Sequence, residues 1–407
     1  MYESLFLTSI EDVALISAYV SIAFIVGFLQ RYSSIFKYLF SILNIGAVYY
    51  FFFYEPEKLN LEIFIPLILF ALIHWLLLWQ VNKMKVEKPS LYWLAFLSPV
   101  LMMIFIKAQS VIVVVGVSYL AFRMALAAFE LRENKQLFPN LIDYLGFLLF
   151  PVSFMAGPIN PLSNHMSTLN NRQISLHNIK FGLLRILIGY IKFRFIATFV
   201  NQLSFTVFWD NGYQMDWVDF IVSSTAYYLY LYMNFSGYTD MMVGIASILG
   251  IKMKENFNHP LKARNIKDFW RRWHLSLTDF LKDAVFTPIM LQLTRFSKGR
   301  YLNSIAIVSI TSLFMVMALW HGFELGYFIF YAFHALAFSL VHISELKWRK
   351  KSKISFNRYM NNQFSLWFGR IATFMFLGVT CAFLELRTYD KISQTLSDIG
   401  FNGFNLI

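Results

Sequence analysis

The stretch LEIFIPLILFALIHWLLLWQV, residues 61–81, indicates the class of fold. Glu62 is its one formally charged residue, and an α-helix needs about 20 mainly apolar residues to cross the hydrocarbon core of a bilayer. The same character extends over the 407 residues of the chain, of which 58% are hydrophobic and 14% are charged. A soluble protein of this length needs far more charge on its surface. The composition therefore excludes a cytosolic enzyme, a secreted disulfide scaffold and a disordered chain.

Apolar runs of similar length recur along the whole sequence. They cover residues 13–30, 35–54, 91–106, 110–129, 181–209, 218–235, 302–320, 324–343 and 365–384. Shorter apolar stretches at 144–157, 241–250 and 280–293 are typical of re-entrant or interfacial helices, and irregular backbone at membrane depth survives only where it lines a cavity. We therefore predict an all-α, polytopic membrane protein with about 10–12 spanning helices around a central funnel or tunnel.

The domain organisation is expected to be simple. No internal repeat, low-complexity tract or flexible linker interrupts the sequence, so residues 1–407 are expected to form a single integral membrane domain. Cys381 is the one cysteine and lies in an apolar run. It cannot close an intrachain disulfide, and we expect it to pack in the core.

The basic residues predict how the spans are oriented. The formal net charge is +12, but the lysines and arginines are distributed between the apolar runs, so the pattern favours cytoplasmic loops over a nucleic-acid surface. The loops predicted to be cytoplasmic contain Arg31 and Lys37, then Lys83, Lys85 and Lys88, then residues 295–300 and 347–358. An acidic turn at 55–60 separates the first two of these loops. The N-terminus and the tight connection 320–324 are then expected on the extracytoplasmic side.

The segment IKDFWRRWHLSLTDFLKDAVF, residues 266–286, predicts an amphipathic helix. At about 100° per residue, its large apolar side chains form one stripe and its charged side chains cover the remaining surface. His274 lies at the seam between the two faces, about 80° from the centre of the stripe. Two interpretations stay open: a histidine with a chemical role, or an incidental boundary residue on a helix that rests on lipid headgroups.

A second histidine ends an apolar run. His321 follows Trp320 and precedes Gly322, and an imidazole at the end of a span is costly to bury without a partner. It either has a function or caps backbone carbonyls at a helix terminus. His334 lies deeper in the next span, where it could hydrogen-bond as a supporting group.

The stretch MNFSGYTD, residues 233–240, interrupts a hydrophobic run with polar groups. It contains Asn234, Ser236, Tyr238 and Asp240. This stretch is either part of a functional site or a polar hinge between two helices. In both cases Asp240 needs a cation or hydrogen-bond donors at membrane depth.

The sequence segments around these residues resemble the membrane-bound O-acyltransferase family. The similarity is specific in NFSGYTDMMVGIASILGIKMKENFNHPLKARNIKDFWRRWHLSLTDFLKDAVF, residues 234–286, and in ALWHGFELGYFIFYAFH, residues 318–334. Weaker matches are GVSYLAFRM, residues 116–124, and FMAGPI, residues 154–159. The resemblance thus covers about residues 116–334.

The resemblance implies a function and its site. The family's two signature histidines lie in RWH and WHG contexts, which correspond to His274 and His321 here. The residues expected to line the substrate path are Asn234, Ser236, Tyr238, Asp240, Trp270, Trp273, Trp320 and His334. The implied location is the bacterial cytoplasmic membrane. The implied reaction moves an acyl group from a cytoplasmic thioester to hydroxyls of an extracytoplasmic polymer, without a bound cofactor or metal.

Within this reaction the two histidines are expected to act differently. His321 is the predicted general base, because a neutral imidazole at pH 7 can take the hydroxyl proton. His274 is expected to orient or help activate the thioester at the cytoplasmic mouth. The donor is a phosphopantetheine thioester on an acyl carrier protein, or an acyl-CoA, and an acyl-transfer or esterase-like partner is expected outside.

Two branches of the family compete. The stretch TPIMLQLTRFSKGR, residues 287–300, favours the branch that D-alanylates teichoic acid, whereas the RRWH and AGPI motifs also fit the alginate-acetylating branch. Met290, Leu291 and Arg295 are the predicted docking surface for the carrier protein, the alternative being a helix on anionic headgroups. A polymer or lipid transporter without covalent chemistry is the alternative from another class. A structural assembly subunit is disfavoured by the polar groups of residues 234–240.

Overall fold

A computed structural model describes residues 10–54, 60–84, 89–108, 116–205, 215–351 and 362–400. These residues form helices and connecting turns, with no β-strand among them, as the sequence predicts. The helices are α1 (Ile10–Leu29), α2 (Ile35–Phe52), α3 (Leu61–Lys83), α4 (Pro89–Ala108), α5 (Val117–Glu133), α6 (Leu141–Leu148), α7 (Pro151–Phe154), α8 (Leu162–Asn170), α9 (Leu176–Tyr190), α10 (Ala197–Asn201), α11 (Trp217–Ile248), α12 (Ile266–Trp270), α13 (Leu275–Leu281), α14 (Thr287–Phe296), α15 (Leu302–His321), α16 (Leu325–Lys351), α17 (Gln363–Leu386) and α18 (Tyr389–Asp398). Some predicted loop residues lie outside the described residues, namely 55–59, Lys85, Lys88 and 352–361.

Six helices in the described part of the chain are long and apolar enough to cross a membrane: α2, α3, α4, α15, α16 and α17. The all-α membrane fold is confirmed, but this count is lower than the 10–12 spans predicted. The apolar part of α1 is shorter, at Val13–Leu29. In the predicted run 181–209, α9 continues through the π-helical segment Ile191–Ile196 into α10, and residues 206–209 lie outside the described residues. Hydrophobicity alone does not reveal such a π segment.

The polar stretch 233–240 does not interrupt its helix. α11 continues from Trp217 to Ile248 through all of these residues, so the alternative of a hinge between two helices is wrong. Asn234, Ser236, Tyr238 and Asp240 are all buried. The helix therefore keeps its own backbone hydrogen bonds through this stretch, and the polar side chains are covered by the surrounding protein.

The chain packs as two compact units. The first comprises Met1–Gly189 and Tyr238–Lys254, and therefore contains α1 to α8, nearly all of α9 and the end of α11. Gly182 and Gly244 allow α9 and α11 to approach closely, because a Cβ on either would lie 2.6 Å from the carbonyl oxygen of the other. Large apolar side chains on α3 and α4, such as Ile73 and Phe105, are exposed, as is normal for surfaces that face lipid.

The second unit comprises Tyr190–Gly237 and Glu255–Ile407. Within it, α15 and α16 are joined by a short turn. The Gly326 amide donates to the carbonyl oxygen of Arg387 at 2.8 Å, and a side chain at Gly326 would overlap the carbonyl oxygen of Phe383. Cys381 on α17 is buried, which confirms the expected core position. The expectation of one membrane domain over residues 1–407 stays a prediction.

Candidate active site

The segment that carries His274 is broken at that residue. α12 ends at Trp270, α13 begins at Leu275, and His274 between them has left-handed backbone angles of φ 45° and ψ 52°. The prediction of one continuous amphipathic helix over 266–286 is therefore wrong. The left-handed conformation costs a residue with a side chain about 1–3 kcal/mol, so the surrounding structure must hold it.

A neighbouring loop supplies that support. The Leu275 amide donates to the carbonyl oxygen of Asn256 at 3.0 Å, and the Asn258 amide donates to the carbonyl oxygen of Arg272 at 2.9 Å. The Ser276 hydroxyl donates to Oδ1 of the buried Asn256 at 2.6 Å. These bonds satisfy backbone groups that a continuous helix would pair internally. Helical periodicity gives no signal for partners contributed by another segment.

His274 is buried, with 5% of its surface exposed. Its ring lies 4.8 Å from the ring of Phe235 and 6.2 Å from that of Trp320, measured between centroids. Burial lowers the pKa of His274 from the ordinary 6.5 to about 4, and a hydrogen bond with its own backbone opposes part of this shift. The imidazole is therefore neutral at pH 7, and its chemical role stays a prediction.

His321 has a contrasting environment at the last residue of α15. The residue is exposed, and its ring lies edge-on to Trp320 at 4.3 Å, tilted beside Tyr327 at 5.3 Å and stacked on Tyr331 at 5.6 Å, between centroids. Gly322 follows, and a Cβ there would lie 2.9 Å from a ring carbon of Tyr327. The glycine therefore allows Tyr327 to pack against the helix end, and the aromatic rings fix the orientation of the exposed imidazole.

The indole of Trp320 connects the two histidines. Its ring lies edge-on to that of His274 at 6.2 Å and to that of His321 at 4.3 Å, between centroids. All three residues belong to the second unit, so their arrangement is local to one packed body. His274 and the adjacent residues Trp320 and His321, which are far from it in sequence, thus form one cluster.

His334 lies behind this cluster and is fully buried. The indole N–H of Trp270 donates to its Nδ1 at 3.1 Å, and Thr380 Oγ1 lies 3.2 Å from its Nε2. Because indole nitrogen can only donate, Nδ1 must accept, so Nε2 carries the proton and donates to Thr380. The Thr380 hydroxyl in turn donates to the carbonyl oxygen of Phe376 at 2.8 Å. His334 therefore holds Trp270, and with it the end of α12, to α16 and α17.

The remaining predicted site residues fall into three groups. Trp273 packs among the aromatic rings of Tyr228, Tyr232, Phe257 and Phe269 in the second unit, where Asn234 and Ser236 are buried on α11. Tyr238 and Asp240 belong to the first unit, where Asp240 pairs with Arg185 at 2.5 Å and so has the cation that the sequence demanded. Met290, Leu291 and Arg295 lie on α14, with Leu291 and Arg295 exposed and Met290 half-buried.

Sequence reasoning missed several residues of the site. Phe235 and Asn256 lie inside the family-like block but carry no chemistry that would single them out. Outside this site, in the first unit, Arg123 was quoted only within a weak motif, yet its guanidinium is fully buried and donates to the Ser153 hydroxyl. A buried arginine cannot be recognised from spacing, because the sequence does not show which face of α5 is covered.

Comparison with known proteins identifies the family of the chain. The model of the membrane-bound O-acyltransferase family matches residues 22–388, nearly the whole chain. The chain is 39% identical over 127 residues to the teichoic acid D-alanyltransferase of Bacillus subtilis (strain 168), a region that covers 31% of this chain and 32% of that protein. It is 30% identical over 221 residues to the peptidoglycan O-acetyltransferase of Helicobacter pylori, covering 54% of this chain and 38% of that protein.

A third relative is the probable alginate O-acetylase of Pseudomonas aeruginosa, 34% identical over 115 residues, or 28% of this chain and 21% of that protein. Each of these matches spans less than half of the relative's length. The family model, by contrast, includes both Trp-His motifs and all six candidate spans. The protein is therefore a multi-pass integral membrane protein that belongs to the membrane-bound O-acyltransferase family.

Proposed function

We propose that the protein transfers a D-alanyl group from a carrier-bound thioester to hydroxyls of an extracytoplasmic polymer such as teichoic acid. The observation that carries the proposal is the contact of His274 and His321 with the same indole, that of Trp320. This places two imidazoles of different exposure around one point. The D-alanyl donor is favoured by the match to a teichoic acid D-alanyltransferase.

His321 acts as the general base in this proposal. The acceptor hydroxyl oxygen attacks the thioester carbonyl carbon, its proton passes to the imidazole, and the new C–O bond replaces the C–S bond. The proton then leaves with the thiolate, so that the free carrier thiol is the second product. The exposed position of His321 suits this role, because a base must reach a hydroxyl that arrives from outside the protein.

His274 has a different role. Its burial keeps the imidazole neutral, so it donates one hydrogen bond to the thioester carbonyl without bringing a full charge into the site. The left-handed backbone fixes where the ring points, and the ring lies edge-on to Trp320, which also contacts His321. His274 thus orients the donor while His321 activates the acceptor.

Helix α14 supports a docking surface for the carrier protein. Leu291 and Phe296 are exposed apolar residues, with 51% and 90% of their surfaces accessible, and Arg295, Lys298 and Arg300 are exposed beside them. Apolar groups rimmed by positive charge fit an acidic carrier protein. Leu291→Asp is expected to abolish co-purification of the carrier while membrane insertion stays normal. Leu261→Asp is the control, because Leu261 is an exposed apolar residue of the same unit outside the candidate spans, and unchanged carrier binding by Leu291→Asp would assign α14 to lipid headgroups.

The proposal is tested with the full chain reconstituted in proteoliposomes and supplied with D-alanyl carrier thioester and a polyol-phosphate acceptor. Wild type is expected to form the ester, and His321→Ala is expected to lose about 10²–10⁴-fold of the rate. His177→Ala is the control, since His177 is another exposed histidine far along the chain. Undiminished transfer by folded His321→Ala would refute the role of this histidine. Movement of the acceptor across the vesicle without any ester formation would favour the transporter.

O-acetyl transfer is a second candidate, because the match to the peptidoglycan O-acetyltransferase extends over more of the chain, 54%. The same two histidines would serve it, with an acetyl thioester as donor. Competing the acetyl and D-alanyl thioesters in the same proteoliposomes separates the candidates. Preferential consumption of the acetyl donor would overturn the D-alanyl assignment and leave the acyl-transfer chemistry intact.

A further inference from the structure

A polar pocket of about 140 Å³ lies in the first unit, apart from the residues of the proposed reaction. It is formed where the end of α1 meets the connection between α8 and α9. Its polar lining consists of Gln30, Arg31, Asn170, Asn171 and Arg172. Two arginines and no carboxylate are therefore present among the described residues that line it, which is the donor set of an anion site.

Arg172 is the central residue of this pocket. All three of its guanidinium nitrogens are shielded from solvent, and none forms a hydrogen bond with a described residue. The group lies 3.7 Å above the ring of Phe40. The nearby Asp143 is already paired with Lys37 at 2.8 Å. A shielded cation with unused donors is costly unless an anion completes it.

The backbone around Arg172 is shaped to hold it there. A Cβ on Gly27 would overlap Nη1 of Arg172, and a Cβ on Gly250 would lie 2.9 Å from its Cγ. Gly250 also has a φ of 71°, which a residue with a side chain rarely adopts. Two glycines, one on α1 and one in the turn after α11, thus make room for one side chain.

The pocket also offers an unused acceptor. The Gln30 amide nitrogen donates to the carbonyl oxygen of Leu169 at 2.6 Å, while its Oε1 is buried without a donor among the described residues. Arg31 adds a second cation and lies 3.4 Å above the ring of Phe28. A ligand that combines a phosphate with a hydroxyl would satisfy both kinds of group.

The rim of the pocket is apolar. On α1, Ile22 and Ile25 are exposed in the turns that precede the pocket, and on α9 Leu176, Leu184 and Leu187 are exposed in the turns that follow it. Such faces suit acyl chains, and a cationic pocket at the helix ends lies at the level expected for headgroups. The pocket volume accommodates a phosphate group but no chain, so the chains would lie along these two faces.

We propose that this pocket binds the phosphodiester headgroup of an anionic phospholipid, with the phosphate on Arg172 and Arg31 and a headgroup hydroxyl on Gln30. Free phosphate shares the central chemistry, and the apolar rims favour the lipid. The lipid would hold the end of α1 to the α8–α9 connection. A zwitterionic lipid is disfavoured, because its cationic headgroup would meet two arginines and no carboxylate.

The test measures thermal unfolding of the purified full chain in detergent with added dioleoyl phosphatidylglycerol, dioleoyl phosphatidylcholine or inorganic phosphate. Phosphatidylglycerol is expected to raise the Tm of wild type by several degrees, in contrast to phosphatidylcholine, and native mass spectrometry is expected to show one retained phosphatidylglycerol. Arg172→Gln is expected to weaken the apparent affinity about tenfold or more, the range for loss of a charge-assisted hydrogen bond. Arg132→Gln is the control, because Arg132 is an exposed arginine of the same unit that stacks on Tyr92.

The outcomes separate the possibilities. Equal shifts with both lipids, or an undiminished phosphatidylglycerol shift in Arg172→Gln, would overturn the proposal. A shift with inorganic phosphate as large as that with phosphatidylglycerol would assign the pocket to free phosphate and so overturn the lipid. If Arg172→Gln does not fold, Gln30→Leu serves as the second variant, and it must lower the preference for phosphatidylglycerol over phosphatidic acid, whose headgroup lacks the hydroxyl.

Discussion

The two signature histidines occupy opposite environments in the same unit. His274 is buried at a left-handed break between two short helices and depends on a loop around Asn256, whereas His321 is exposed at the end of a long helix and is held by aromatic rings. Both contact the indole of Trp320. The difference teaches that one protein can give the same side chain two environments by changing its access to water, and the proposed reaction assigns a different role to each. Each prediction below removes one part of that contrast.

The largest effect is expected at the exposed histidine. His321→Ala should lower acyl transfer about 10²–10⁴-fold, the range for removing a positioned general base. Its Tm should change little, because the side chain is exposed. Initial rates and Tm of this variant, measured beside those of His177→Ala, check the prediction. Equal rate losses in the two variants would remove the distinction between His321 and an ordinary surface histidine.

The buried histidine should make the stability of the protein fall as pH falls. Its folded pKa of about 4 lies below the unfolded value of 6.5, so the unfolded chain binds more protons between these values and stability falls as pH falls. The full difference, reached near pH 4, is about 3 kcal/mol. Tm measured from pH 7 to pH 4 should therefore fall more steeply for wild type than for His274→Asn. Asparagine tolerates the left-handed backbone, so it removes the imidazole without adding strain. Parallel curves would contradict the assignment.

The loop around Asn256, which holds the backbone at His274, should give the next largest effect on Tm and transfer. Asn256→Ala leaves the Ser276 hydroxyl without its acceptor in a buried position, at a cost of about 1–3 kcal/mol. The expected result is a lower Tm together with a loss of transfer, because the position of His274 is disturbed. Asn258→Ala is the control, since its exposed side chain lies two residues away in the same loop. An unchanged Tm and transfer rate in Asn256→Ala would show that the backbone at His274 does not need the Asn256 side chain.

The smallest effect is expected at Thr380, the partner of His334 behind the cluster of His274, Trp320 and His321. Thr380→Val keeps the shape of the side chain but removes the hydroxyl that accepts from His334, at a cost of about 1 kcal/mol. Transfer should fall only a few-fold, because His334 acts through Trp270 and not on the substrate. The rate and Tm of this variant, beside those of Thr373→Val on the same helix, measure the contribution. A loss as large as that of His321→Ala would place His334 in the reaction itself.

The sequence was sufficient for the features that depend on composition and on short motifs. Apolar runs predicted the all-α membrane fold, and the RWH and WHG contexts identified the two histidines that the structure brings to one indole. It was insufficient wherever a distant segment determines local structure. The break at His274 depends on Asn256, and the intact helix through Asn234 to Asp240 depends on packing that covers its polar side chains. Hydropathy likewise could not show that the run 181–209 contains a π-helical segment.

The central claim is that His274 and His321 serve one reaction through their shared contact with Trp320. A double-mutant cycle of transfer rates in wild type, His274→Asn, His321→Ala and the double variant tests it most directly. We expect non-additive losses, with the double variant within about tenfold of His321→Ala alone, because residues that act as a unit lose most of their effect when either is removed. Losses that simply multiply in the double variant would contradict the claim and show that the two histidines act independently.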